Sequence, residues 1–174
     1  MQVSKEQLAT FLRNFVFGVE DSLVSTVGLV SGVAIAGASR SSIFLTGMVL
    51  IFVEAFSMGV GSFLSEESSE TYINQGPATS RFSFVAAVIM FVSYFLSGFV
   101  PLSPYIVAKT TQQAFIASII ASVIALFALG LWGAHLSKLP LGRGGLRMMV
   151  IGGLAIGLGV TVGTLMNHFG FSAV

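Results

Sequence analysis

The chain has 174 residues, 55% of them hydrophobic and 9% charged, with a formal net charge of +1 and no cysteine; an ordinary soluble domain carries roughly 25% charged residues. This balance reads as an integral membrane protein. It excludes a nucleic-acid partner, which needs a basic patch, and with them disulfides, thiolate metal sites and cysteine nucleophiles. The length suits four to six spans of about 20 residues and leaves no room for an added soluble domain of ordinary size.

Residues 1–14 hold Lys5, Glu6 and Arg13, with Leu8, Phe11, Leu12 and then Phe15 at helical spacing. That pattern predicts an amphipathic lead-in lying at the membrane interface. The first span covers 15–36 and is not a cleaved signal, since it carries Glu20 and Asp21. Gly28 and Gly32 form a small-xxx-small pair within it, a seat for a closely packed helix or simply two tolerated glycines. A polar turn at 37–42 leads to the second span, 43–64, with Glu54 near its middle. A short acidic cytoplasmic loop, 65–81, follows, with Glu66, Glu67 and Glu70; its beginning continues the helix for a turn or two, and Gly76-Pro77 ends it. The third span, 82–100, carries Ser83, Ser93, Tyr94 and Ser97 but no charge, and stops at Pro101-Leu-Ser-Pro104. In the fourth, 114–136, Trp132 and His135 suit the interfacial aromatic belt. A basic, turn-rich hairpin at 137–147 opens the last span, 148–166, whose Gly153/Gly157 and Gly159/Gly163 pairs leave one side nearly smooth.

Five spans put the termini on opposite sides. With the N-terminus inside, inner segments hold Lys5, Arg13, Arg81, Lys138, Arg143 and Arg147, and outer ones hold Arg40 and Lys109. The positive-inside rule favours that orientation. The chain shows no internal repeat, so a symmetric oligomer is the natural source of a second half to any pathway.

Glu20, Asp21 and Glu54 are the costly residues. A charge at the centre of a membrane helix costs roughly 2.5 to 3.5 kcal/mol on insertion scales, so such groups face a bundle interior with a partner or a path. No basic residue lies at matching depth, which leaves a bound cation, a proton or water in place of a salt bridge. Glu20 and Asp21 differ by about 100° around a helix and do not point at one centre; Glu20 alternatively snorkels to the interface. Met58 lies four residues after Glu54 on the same face. Carboxylates are hard ligands and a thioether is a soft one with little use for Mg(II) or Ca(II), so the pair leans towards a transition metal, unless Met58 is packing. His135 and His168 sit at span ends, which argues against a dedicated zinc or copper site. Metal and proton compete for one carboxylate, so exchange needs no separate relay. Glu66 and Glu70, four apart with Glu67 beside them, form either a metal-collecting rim or an ordinary solvated acidic segment. There is no Walker loop, dinucleotide fingerprint or nucleophile constellation; an enzyme, ATP coupling and a bound cofactor are set aside.

Residues 13–33, with Glu20-Asp-Ser-Leu-Val-Ser-Thr26, followed by Glu54 and Ser57-Met-Gly-Val-Gly61, resemble the vacuolar iron transporter family, which includes the yeast vacuolar iron importer and plant nodulin-21-like proteins. Pro101-Leu-Ser-Pro104 and Gly142-Arg-Gly-Gly-Leu-Arg147 extend the likeness over nearly the whole chain. The resemblance implies a five-span homodimer that exports ferrous iron, and often manganese, from the cytoplasm in exchange for protons, at a site near the dimer interface lined by the first two helices. By motif position Asp21 and Met58 match the family's transport-path aspartate and methionine, and Glu54 the acidic residue four before that methionine. Ser22 departs from the usual glycine. Fuller members insert a cytoplasmic metal-binding domain where this chain has only 65–81, so Glu66, Glu67 and Glu70 read as its remnant.

The expectation is therefore an all-α integral membrane protein of five transmembrane helices, N-terminus cytoplasmic and C-terminus opposite, a homodimer in a lipid bilayer. It exchanges Fe(II), and Mn(II) second, for protons, for iron detoxification or storage. A passive cation or proton channel and a structural membrane protein are the alternatives. The orientation drains the cytoplasm from a prokaryotic cell membrane or into a vacuole or other organelle.

Overall fold

In hydrocarbon a backbone satisfies its own polar groups only as a helix or a closed barrel, and each apolar run folds as a helix. The computed structural model describes residues 5–77, 80–136, 138 and 140–170. Its elements in order are α1 (Lys5–Ile35), α2 (Arg40–Asn74), α3 (Ser80–Leu102), the single turn α4 (Pro104–Val107), α5 (Thr111–Leu136) and α6 (Leu141–His168). Five of these helices are long and apolar enough to cross a membrane. The chain is an all-α, five-span membrane protein.

Several helices run past the limits of the apolar runs. The expected interfacial lead-in, of which residues 1–4 lie outside the described residues, is in its described part continuous with the first span as α1. The polar segment 65–81 is not a loop over most of its length: α2 continues to Asn74 and ends on Gln75 in the left-handed conformation, with Gly76 and Pro77 after it. Residues 78 and 79 lie outside the described residues. At 35 residues α2 is about 52 Å long, against a hydrocarbon core of about 30 Å, so a good part of it stands in water. The basic hairpin is likewise mostly helix, since α6 begins at Leu141 and carries Arg143 and Arg147 in its first turns. Pro101 does not stop α3; it sits in the last turn, one residue before the helix ends. Apolarity marks where hydrocarbon ends, and helical hydrogen bonding continues beyond that point.

The turns are specified locally. Gly37, at φ +87, terminates α1 while the Ala38 amide returns to the Val33 carbonyl. Ser39 then caps α2 by accepting from the Ser42 amide at 3.2 Å. At the same end the Arg40 guanidinium donates to the Ala108 carbonyl, tying this turn to the one before α5.

Helix α1 is central and packs against α2, α3, α5 and α6. Its seam with α6 is a contact of backbones. A Cβ placed on Gly32 would stand 2.7 Å from the Gly159 carbonyl oxygen, and one on Gly28 3.2 Å from that of Ala155. The Gly28/Gly32 pair thus seats the Gly159/Gly163 pair, whereas Gly153 and Gly157 face open space. The tightest apolar cluster, with Val30, Ile43, Ile51, Leu102 and Tyr105, fills the end of the bundle away from the start of α1. Two clefts open at the other end, between α1, α2 and α3 and between α1, α5 and α6, and a smaller one opens beside Arg40 and Tyr105.

Candidate functional site

Asp21 on α1 and Glu54 on α2 are half-buried, and the charge that acts on Asp21 is that of Glu54. The two carboxylates that the sequence singled out on separate spans therefore belong to one electrostatic unit. Tyr94 of α3 completes its surroundings: the ring is fully buried and senses both Asp21 and Glu54. Two serines of α1 fix it. Ser22 Oγ donates to the Tyr94 carbonyl oxygen at 2.6 Å, and Ser25 Oγ lies 2.8 Å from the Tyr94 hydroxyl. The residue immediately after Asp21 thus holds α1 against α3, which sets the direction in which Asp21 projects.

Glu20 is turned to a different neighbour. The charges acting on it are those of Arg147, in the second turn of α6, and of Asp21. Because α6 starts earlier than its apolar run, a basic residue does reach the depth of Glu20, and the expectation that no cation does so is corrected for this carboxylate. Asp21 and Glu54 are not partnered in this way.

Met58 lies one turn beyond Glu54 and lines a cleft of about 460 Å³ with Asn14, Ser62, Glu66 and Met90. Met90, buried on α3, places its sulfur against Gly18 of α1. Glu66 does not stand in an open acidic rim: it is turned inward and ion-paired with Arg13, its side chain 9% exposed against 67% for the arginine. Glu67 and Glu70 are half-buried on the same projecting part of α2. His135 and His168 are exposed in the last turns of α5 and α6. Among the described residues no three His, Asp or Glu side chains converge to hold a metal within one chain.

Tyr94, Ser22, Ser25, Asn14 and Met90 were not singled out as site residues by sequence reasoning. Their signal lies only in pairings between helices, which a single sequence does not display. Ser22 was visible as a departure from the glycine usual at that position, and its hydrogen bond explains how a side chain is accommodated there.

Comparison with known proteins identifies the family. The VIT family model matches residues 12–81 and 69–164. The chain is 29% identical over 164 residues to vacuolar iron transporter homolog 3 of Arabidopsis thaliana, covering 86% of this chain and 80% of the relative. It is 28% identical over 190 residues to vacuolar iron transporter homolog 1 of Oryza sativa subsp. japonica, covering 95% of this chain and 77% of that one. Vacuolar iron transporter 1 of Arabidopsis thaliana is 20% identical over 216 residues, covering 90% of this chain and 86% of the relative. That alignment is longer than the 174 residues of this chain, so it contains insertions in the relative.

Proposed function

The chain belongs to the VIT family, and on that premise we propose that it moves divalent metal, Fe(II) first and Mn(II) second, out of the cytoplasm in exchange for protons. The observation that carries this reading is that Asp21 of α1 and Glu54 of α2, both half-buried, lie near enough for the charge of Glu54 to act on Asp21, with Met58 one turn further along α2. Two carboxylates that share a partly dry site repel one another, and both a divalent ion and protons relieve that repulsion. The ion that enters displaces the protons and the protons that return displace the ion, which is the elementary step of an exchanger. Met58 biases the site towards ions that accept sulfur.

Direction follows from charge. Lys5, Arg13, Arg81, Lys138, Arg143 and Arg147 stand where α1 begins, and Arg40 and Lys109 stand at the opposite end. The positive-inside rule then turns the end where α1 begins to the cytoplasm and the end with the apolar cluster away from it. The names of the relatives point to a vacuole as the receiving compartment. Leu45, Val49, Phe52, Phe56, Val60 and Leu64 form an exposed stripe along α2. A second copy related by a two-fold axis beside α1 and α2 covers such a stripe and doubles the carboxylates available to one ion.

The test is Fe(II) uptake by proteoliposomes with and without an acidic interior, for the wild type, Asp21→Asn and Met58→Ala. An acidic interior is expected to drive uptake, and both substitutions are expected to remove it. Uptake that ignores the pH gradient would replace the exchanger with a channel.

A further inference from the structure

The four residues Glu54, Met58, Ser62 and Glu66 recur every fourth position of α2. Each step advances about 6 Å along a helix and stays close to one face. Helix α1 runs antiparallel beside them. Asp21 answers Glu54, Ser62 Oγ donates to Asn14 Oδ1 at 3.2 Å, and Arg13 pairs with Glu66. A rail of polar and thioether side chains therefore leads along α2 from the end of the bundle where α1 begins to the two membrane carboxylates. Most of it lines the cleft between α1, α2 and α3, where Met90 stands across from Met58.

We propose that this cleft is a second cation subsite, ahead of Asp21 and Glu54, and that Arg13 occupies its carboxylate until a divalent ion displaces the guanidinium. This rests on the transport reading above for its direction, but its binding chemistry stands alone. Two independent features of the cleft point to a ligand. The first is the asymmetry of the ion pair: Glu66 is held in the protein with a side chain 9% exposed, and Arg13 is 67% exposed. The carboxylate is the fixed half of the pair and the arginine the removable half, which returns to water at little cost when released. The second is Asn14, which is 5% exposed, lines the cleft, and leaves Nδ2 without a protein partner. A buried unpaired donor costs about 1 to 3 kcal/mol. Turning the amide over lets Nδ2 donate to Ser62 and presents Oδ1 to the cleft, which gives a cation a neutral oxygen beside the Glu66 carboxylate. Once the ion is past these oxygens, Met58 and Met90 offer thioethers before Asp21 and Glu54 are reached. Oxygen donors at the mouth and sulfur donors behind them admit any divalent ion and pass on those that tolerate a soft ligand.

The experiment uses Mn(II) alone as the probe, titrated by electron paramagnetic resonance into the purified full chain carrying Asp21→Asn and Glu54→Gln, so that the membrane carboxylates are silent. That background is expected to retain weak binding. Adding Arg13→Gln is expected to tighten it at least tenfold, and adding Glu66→Gln to abolish it. Arg13→Lys, which keeps the charge but loses the guanidinium fork, is expected to shift affinity in the same direction by less, and serves if Arg13→Gln does not fold. Unchanged affinity on removing Arg13, or binding that survives Glu66→Gln, overturns the subsite and leaves a structural ion pair. Proton-driven Fe(II) uptake by the wild type in liposomes separates the two readings. If uptake is absent while the Mn(II) pattern holds, the exchanger falls and the subsite stands; if uptake is present while Arg13 has no effect on binding, the subsite alone falls.

Discussion

Ser22 Oγ donates to the main-chain carbonyl oxygen of Tyr94 across the α1–α3 seam, at 2.6 Å and fully buried. The same carbonyl lies 3.3 Å from Ser97 Oγ, and Ser22 Oγ fits only because position 98 is glycine: a Cβ there would stand 2.9 Å from it. The hydroxyl next to Asp21 is thus part of how two helices are fixed at the site, and the glycine across from it is part of the same fit.

Ser22→Ala is therefore expected to destabilise the chain by about 1 kcal/mol, the scale of an interhelical hydrogen bond in a membrane protein. Tyr94→Phe, which removes the hydroxyl bonded to Ser25 and leaves the Ser22 bond in place, is expected to cost a similar amount. The two effects should add within about 0.5 kcal/mol if the serines act separately on Tyr94. Thermal unfolding in detergent, read on the fluorescence of Trp132, measures all three variants.

The α1–α6 seam gives a sharper contrast. Gly32→Ala puts a methyl 2.7 Å from a backbone oxygen of α6, where the neighbour cannot rotate away. A loss of about 1 to 3 kcal/mol is expected from such overpacking. Gly157→Ala, on α6 itself, meets open space and is expected to be neutral or stabilising by up to about 1 kcal/mol through helix propensity. Equal effects at the two positions would place the contact elsewhere.

Met58→Leu separates the thioether from its volume. Leucine fills nearly the same space at little packing cost, so folding should be unchanged. Fe(II) uptake is expected to fall by about tenfold, at the lower end of what losing a partner costs a metal site, and Mn(II) uptake, which depends less on a soft ligand, to fall less. Equal uptake of both ions by the variant and the wild type would make Met58 packing material.

Most of the fold was legible in the sequence because hydrocarbon imposes one answer on a long apolar run. Asp21, Glu54 and the Gly28/Gly32 pair stood out for the same reason, as residues whose presence in such a run costs something. What the sequence did not display were the partners. Nothing in the last span says that Gly159 and Gly163 meet Gly28 and Gly32 while Gly153 and Gly157 stay open. Helix ends were set too short where polar residues continue a helix into water, as on α2 in its last turn up to Asn74 and on α6 before Met148. The late start given to α6 hid the charge of Arg147 near Glu20, and the pairing of Arg13 with Glu66 was hidden because it joins two helices.

The nearness of the Arg147 charge bears on what Glu20 is for. If Arg147 is its partner, Glu20 helps to hold the start of α6 against α1, and Asp21 alone of the two adjacent carboxylates belongs to the ion's route. A double-mutant cycle of Glu20→Gln and Arg147→Gln, followed by chemical unfolding, is expected to show a coupling of about 0.5 to 1 kcal/mol, since the pair is only partly removed from water. Uptake of Fe(II) by Glu20→Gln should stay within about twofold of wild type, the size of effect that so weak a pair can exert, while Asp21→Asn loses it. No coupling, together with uptake that falls as far as in Asp21→Asn, would put Glu20 on the transport path and leave Arg147 as a surface charge, because a carboxylate needed by the ion is missed whatever its neighbour on α6.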